Sequence, residues 1–563
     1  MNRYHTPYYF LLLALLSICP GLKAQDLLPD AAGERIEAIT DRTLYISGEQ
    51  ILFSVEVSHP DDSISNEFSL VFYCELISPD GNRIAGGKYL LQNSKGVGSL
   101  TIPEETISGL FFLKFYTRFM RNISTGEYTY ILLKIVNPFK TEVLQGNEAM
   151  DSTAWRNNTS GTREESLSLA FLSGEKKFSP REEIQLILRE ESGYKSSSAL
   201  SLTIVPEFTY QGLFLPDNAK NDTTHNGFYY PETRGISLTG QLIVKETGKP
   251  LPGTKVYLSI IGDKDILVDR TDSSGKFYFA LPDYFGYKDL FLCTEDLPDI
   301  TPELFIDNDF CSKPVSLPSL LFTLNQEEMK AAYKLAVNSR ITSMFTGNQI
   351  TGDSLEEGIS TSFYGKPSEV VVLEKYIDLP ALEEYFTELA VNVKVKREQG
   401  RKRFRFLTDL ADMRTFDPLV LVDWVAVDDM DKILAMSPLD IDRIELVNAP
   451  YVKGDITYGG IISFVSKKND FAGIDLPTSG TFLNYPFLEE VVPTTDIDTF
   501  PNNIPDSRNT IYWNPAIQLD DDGTAKISFT APDTPGKYII LIREMTPAGE
   551  IILTKETIEV TEN

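Results

Sequence analysis

A chain of 563 residues with 81 acidic and 52 basic side chains, formal charge −29, excludes attachment to nucleic acid or anionic lipid by non-specific electrostatics, since both need a basic footprint. Three histidines (His5, His59, His225) and four cysteines without metal-type spacing predict no catalytic residue, no metal ligand and no cofactor. The length implies several domains, and 11 % aromatics with 36 glycines, 32 prolines and many short alternating runs predict a mainly β, multidomain chain: serial β-sandwiches plus one α+β unit.

Residues 1–24 read as a secretory signal. Arg3 supplies the positive end, and Phe10 to Ile18 is an apolar core too short to cross a bilayer, which needs about 20 residues. Leu22-Lys23-Ala24 fits a cleavage site before Gln25; Ile18 and Pro20 around Cys19 fit lipid attachment poorly. No later apolar run is long enough for a membrane-spanning helix, so the mature chain is expected without a transmembrane segment, in the periplasm or associated with the outer membrane. Of the remaining cysteines, Cys74 reads as a core residue of the strand Val71-Phe72-Tyr73-Cys74, while Cys293 and Cys311 lie near enough in sequence to pair.

Residues 25–140 form the first predicted sandwich. Ile51 to Val57 alternates as a half-buried strand, Ser78-Pro79-Asp80-Gly81 is a turn, and Leu110 to Tyr116 and Tyr130 to Val136 are strands. Asp41-Arg42-Thr43-Leu44-Tyr45-Ile46-Ser47-Gly48-Glu49 and Ser108 to Thr117 resemble the opening turn and a later strand of macroglobulin-type domains, as in the alpha-2-macroglobulin family, with Ser47 in place of the usual proline. Ser47-Gly48-Glu49-Gln50 also resembles that family's thioester motif. Ser47 lacks the sulfur the thioester requires, so the expectation is a turn before a strand.

After a polar linker, residues 165–210 repeat the turn-then-strand layout at Phe178 to Leu188 and resemble a second macroglobulin-like segment. Residues 236–323 carry Leu238-Thr239-Gly240, Thr247-Gly248-Lys249-Pro250-Leu251-Pro252-Gly253 and Asp272-Ser273-Ser274-Gly275-Lys276-Phe277. That spacing resembles the carboxypeptidase regulatory-like domain, a transthyretin-like sandwich that brings no protease residues. Residues 325–345 read as a helical connector, with Asn325 as cap and Glu328 three residues on.

Residues 369–468 are the α+β unit. Leu419 to Val422, Arg443 to Val447 and Ile461 to Val465 are its predicted strands, Met430 to Met436 a covering helix, and Gly459-Gly460 a turn. Leu421-Val422-Asp423, Ile441 to Glu445 and Gly459-Gly460-Ile461-Ile462 resemble the plug domain of TonB-dependent outer-membrane receptors. Trp424 stands where that family places glycine, which predicts a disturbed turn. A plug closes a barrel of about 22 strands of about 9–11 residues. The residues after Lys468 are too few for one, so the expectation is a closed, autonomous plug-like domain without a pore. Adjacent acids, as at Asp428-Asp429, read as solvated turn residues. Residues 469–505 read as a loop and 505–563 as a C-terminal immunoglobulin-like sandwich.

Lys394, Lys396, Arg397, Arg401, Lys402, Arg403 and Arg405 form the concentrated basic patch of this acidic chain. They read either as two strands around Gln399-Gly400 with solvated charges on one face, or as the site that holds an acidic partner or lipopolysaccharide phosphate. The combination of resemblances implies a non-catalytic envelope binding or scaffolding protein whose partner is a protein or envelope polymer and not nucleic acid. The alternatives are an accessory of a TonB-dependent uptake system, partnered by its receptor, and a protease-interacting macroglobulin relative lacking the thioester.

Overall fold

A computed structural model describes residues 33–59, 69–146, 167–190, 199–211, 228–315, 317–346, 362–390, 392–398, 400–490, 504–545 and 551–562. The signal reading of residues 1–24, and His225, lie outside them. The chain is mainly β and multidomain, built of paired sheets and one α+β unit.

Alternation decides the first sandwich. Along the strand Gln50–Ser58, Ile51, Phe53, Val55 and Val57 are buried, because successive side chains of a strand point to opposite faces. This strand lies between Arg35–Thr40 and Lys95–Thr101 in one sheet. The other sheet orders Leu44–Ile46, Thr129–Val136, Gly109–Thr117, Val71–Ile77 and Arg83–Leu90. Between them Phe53 meets Tyr89 and Phe115 edge-on, at ring separations of 5.0 and 5.2 Å. Gly98 leaves room for these rings, since a Cβ there would stand 2.6 Å from Tyr89. Cys74 is buried in this core, as expected.

The segments 165–210 and 505–563, expected as separate modules, are two halves of one sandwich. Glu183–Glu190 pairs with Thr524–Thr530, from Glu183 opposite Thr530 to Arg189 opposite Thr524. Ala199–Pro206 lies between Gly536–Met545 and Tyr512–Ile517. The physical reason is coverage. The buried face Ile184, Leu186 and Leu188 needs an opposing sheet, and Ile540, Ile542, Ile558 and Val560 supply it.

The third sandwich sets Lys276–Ala280, Ser237–Val244 and Pro302–Ile306 against Asp265–Arg270, Lys255–Ile260, Tyr287–Thr294 and Thr481–Pro486. Its last strand comes from the stretch expected to be a loop. Thr481–Pro486 pairs along Tyr287–Thr294, with the Phe482 ring tilted against Phe291 at a centroid separation of 4.6 Å, and the following Phe487 and Leu488 enter the core shared with the first sandwich. Cys293 and Cys311 are free and buried in separate clusters; they do not pair.

The connector is the helix Gln326–Thr346. Asn325 Oδ1 accepts from the Glu327 and Glu328 amides at 3.0 and 2.9 Å, and Glu328 accepts from the Asn325 amide at 2.8 Å, a reciprocal capping box. Ala331, Ala332 and Leu335 lie on Leu44 and Ile46 of the first sandwich, while Asn338 donates to Asn509 of the second at 3.0 Å.

The α+β unit has the sheet order Glu369–Val372, Ile441–Val447, Ile461–Ser466, Leu419–Val422, Val425–Ala426. The helices Leu382–Glu388, Ala411–Thr415 and Met430–Leu434 and the hairpin Val393–Glu398/Arg401–Phe406 cover one face through Phe386, Phe404, Val420, Val422, Ile433 and Phe464. The three expected strands and the helix from Met430 are present, although the helix ends at Leu434, two residues before Met436. The other face is not solvated. Leu419, Leu421, Val425, Ile461 and Val465 meet Tyr257, Ile266, Val268, Phe291 and Cys293 of the third sandwich. The unit is therefore not closed on itself. Its parallel pair, Leu419–Val422 and Ile461–Ser466, reads as unbroken apolar runs because both faces are buried.

Candidate functional site

The geometry that fixes the α+β unit starts at the two-residue turn joining Val422 to its partner Val425. Asp423 and Trp424 both have positive φ, +45° and +62°, the form that matches strand twist in a tight hairpin. The tryptophan in place of glycine does not abolish the turn. A left-handed non-glycine residue costs about 1–2 kcal/mol, whereas burying an indole of roughly 150–250 Å² at about 25 cal/mol/Å² contributes about 4–6 kcal/mol. Trp424 is 9 % exposed, within the cluster shared with the third sandwich. Its carbonyl accepts from Ser259 Oγ at 3.1 Å and its Nε1 donates to Ser362 Oγ at 3.3 Å. The Asp423 carboxylate accepts from Ser466 N and Oγ at 2.7 and 2.6 Å and from Phe471 N at 2.9 Å, tying the turn to the end of the neighbouring strand.

A second junction fastens the third sandwich to the first. Glu232 is buried and accepts from Tyr73 Oη at 3.0 Å and Ser237 N at 2.6 Å, and burial pushes its carboxyl up to about 7 against the pull of Arg118. Lys88 Nζ pairs with Asp309 at 2.5 Å, donates to the Pro486 carbonyl at 2.7 Å and sits 3.9 Å from the centre of the Tyr485 ring. Burial lowers this ammonium's pKa while Asp309 raises it.

The seven cations of the basic patch lie on one hairpin, but the structure divides them. Arg401 pairs with Asp296 of the third sandwich at 2.5 Å, Lys402 with Glu383 at 2.7 Å, Arg405 with Glu398 at 2.7 Å, and Arg403 and Arg405 both reach Asp417. Lys394, Lys396 and Arg397 are exposed and have no ion-pair partner among the described residues. Gly400 turns the hairpin at φ +82°.

Beside the hairpin a cleft of about 560 Å³ separates the α+β unit from the third sandwich. Arg401, Lys402 and Arg403 stand on one wall; Lys255, Tyr257, Glu295 and Asp296 come from the sandwich. Asp428 and Asp429, read from sequence as a solvated pair, diverge. Asp429 caps the helix Met430–Leu434, accepting from the Asp431 and Lys432 amides at 3.1 and 3.2 Å. Asp428 opens to the cleft and accepts from Tyr257 Oη at 3.4 Å. Protein crowded around its other sides pushes its carboxyl up to about 6, Lys255 opposing and Glu295 adding to the rise. Tyr458 completes the floor. No local signal marks Asp428, because Tyr257 lies 171 residues earlier in the chain. The Ser47-Gly48-Glu49 stretch is the expected turn: Gly48 has φ +90°, and Glu49 pairs with Arg42 at 3.1 Å and accepts from the Ile46 amide at 2.7 Å.

No protein-family model matches the chain, and no curated protein matches it. Solved structures do. A Salmonella alpha-2-macroglobulin mutant aligns with 96 % of this chain and 40 % of its own at 9 % identity and a TM-score of 0.23. An Escherichia coli alpha-2-macroglobulin activated by porcine elastase aligns with 94 % of this chain and 44 % of its own at 10 % identity and the same TM-score, 0.23. Dimeric latent PorU from Porphyromonas gingivalis aligns with 48 % of this chain and 34 % of its own at 10 % identity and a TM-score of 0.15. The chain spans less than half the length of each.

Proposed function

We propose that this chain is a non-catalytic binding or scaffolding protein of a bacterial envelope, in which the sandwiches hold the α+β unit in a fixed pose and present its hairpin and cleft to a protein or envelope polymer. The observation that supports this most is the double fastening of that unit. Its second sheet face is buried on the third sandwich around Trp424, and the chain then returns to that sandwich as the strand Thr481–Pro486. A recognition surface held this way loses little conformational freedom on binding. The exposed cations Lys394, Lys396 and Arg397 are its docking charges, toward carboxylates or phosphates. The leader reading places the protein in the periplasm or at the outer membrane. No helix among the described residues is long and apolar enough to cross a membrane. The test is capture in cells through a photo-crosslinking residue at position 396. The expected result is one dominant partner, lost when Lys394, Lys396 and Arg397 become glutamate; unchanged capture by that variant contradicts the reading.

A second reading, an accessory of a TonB-dependent uptake system, draws on the Asp423-Trp424 turn, which keeps the tight backbone form that the plug resemblance calls for. Co-isolation of an outer-membrane receptor in the same capture supports it; a captured set without one opposes it. The plug-like domain is in either case proposed as a module without a pore. The protease-interacting reading is restricted to thioester-free binding, since Ser47 offers no thiol.

A further inference from the structure

The cleft beside the hairpin is lined by charges of both signs, and counting those already engaged decides what it can still take. Lys255 is paired with Glu295 at 3.5 Å, Arg401 with Asp296 at 2.5 Å, Lys402 with Glu383 at 2.7 Å and Arg403 with Asp417. Each lining cation thus has a carboxylate. The acids do not balance in the same way. Asp428 accepts a long hydrogen bond from Tyr257 and one from the Asp296 amide, the nearby Lys255 is already paired with Glu295, and the exposed Asp431 side chain has no partner among the described residues. The unspent charge in the cleft is negative, although the neighbouring hairpin is rich in basic residues.

An independent observation points the same way. Tyr458 is 3 % exposed and lines the cleft, and its hydroxyl stands beside Tyr257 yet makes no hydrogen bond of normal geometry. A buried hydroxyl left unpaired costs about 1–3 kcal/mol, so it marks a place where a partner atom belongs. The volume, about 560 Å³, lies within the roughly 300–1,000 Å³ typical of organic-ligand sites. Among the described residues no group of three or more acids, histidines or cysteines is placed to hold a metal ion.

We propose that this cleft binds a cationic side chain, lysine or arginine, of a partner polypeptide, with Asp428 as the charge partner, Tyr458 Oη as a hydrogen-bond acceptor and Asp431 at the mouth. An ammonium or guanidinium supplies further donors that the Asp428 carboxylate and the Tyr458 hydroxyl can accept, and its alkyl stem lies along Phe404 and the Tyr458 ring. A carboxylate or phosphate finds no unpaired cation here. The inference rests on the binding-protein reading only for the source of the ligand. It places basic residues of the partner in the cleft while the exposed lysines of the hairpin meet its acidic ones.

The experiment titrates the purified full-length chain, by calorimetry, with a capped tetrapeptide carrying two central lysines and with its diglutamate counterpart. Saturable binding of the lysine peptide alone is expected. Asp428→Asn should weaken it about tenfold or more, as loss of a charge-assisted hydrogen bond implies, and Tyr458→Phe should weaken it with a melting temperature no lower than the parent's, since it removes an unpaired buried hydroxyl. Should Asp428→Asn not fold, Asp431→Asn, at an exposed position, replaces it and is expected to weaken binding severalfold. Absence of saturable binding, equal affinity of the aspartate variants, or equal binding of the glutamate peptide overturns the site. Those outcomes leave partner capture through Lys394, Lys396 and Arg397 untouched. Conversely, failed capture in cells with intact peptide binding removes the function reading and keeps the site.

Discussion

Ser259 donates its hydroxyl to the carbonyl of Trp424 at 3.1 Å, joining a central strand of the third sandwich to the tightest turn of the α+β unit. The bond lies inside an apolar cluster drawn from both units, so it fixes register where burial supplies most of the stabilisation. A tryptophan with φ +62° persists here because its ring belongs to the neighbouring domain's core as much as to its own.

Trp424→Ala is expected to destabilise the protein by about 3–5 kcal/mol, the usual cost of removing a buried aromatic ring. Trp424→Gly should cost about 1 kcal/mol less, because glycine takes the left-handed conformation without strain. Urea unfolding of the three proteins checks both values. An order reversed between alanine and glycine would show that the backbone at position 424 is not strained.

The isolated fragment 369–468 should expose Leu419, Leu421, Val425, Ile461 and Val465 together. It is expected to bind a hydrophobic dye and to self-associate, whereas the full chain does neither. A monomeric, dye-negative fragment would restore the autonomous domain that the sequence suggests.

Removing Lys88 leaves Asp309 buried without its cation. Lys88→Ala should cost about 3–5 kcal/mol, well above a surface charge deletion such as Lys394→Ala, which should stay within about 0.5 kcal/mol. Equal effects in thermal unfolding would place the Lys88–Asp309 pair in solvent.

Glu232 carries a pH signature. Its folded-state carboxyl stands at about 7 against an ordinary 4.5, so the folded chain binds this proton more tightly than the unfolded chain. Its contribution is present below about pH 4.5 and is lost as pH rises through about 7. Tyr73, Arg118 and Asp309 face the same pocket and set the balance. Stability of Glu232→Gln relative to the parent should therefore rise between pH 5 and 7.5. A flat difference across that range would mean that Glu232 is hydrated in the folded protein.

Local pattern carried much of this architecture. The alternation of Ile51 to Val57, the capping pair Asn325 and Glu328, and the apolar runs at Leu419 and Ile461 each specify an element within a few residues. What sequence does not carry is partnership over distance. Nothing in Glu183–Glu190 names Thr524–Thr530 as its neighbour, and Thr481–Pro486 reads as a loop until Tyr287–Thr294 is placed beside it. The site follows the same division. The seven cations are visible as a run, but which of them are neutralised depends on Asp296, Glu383 and Asp417, the first of which lies about a hundred residues earlier in the chain, 105 from Arg401. Asp428 becomes distinctive only when Tyr257 and Tyr458 arrive from elsewhere.

The account turns on the α+β unit being held in one pose against the third sandwich. Spin labels at Lys276→Cys and Lys396→Cys, both exposed, measure this directly by electron–electron double resonance, since the three cysteines of the described residues are buried and should not react. One narrow distance distribution, unchanged on adding the lysine peptide and broadened by Trp424→Ala, is the predicted result. A broad or two-peaked distribution in the parent protein would contradict the fixed pose.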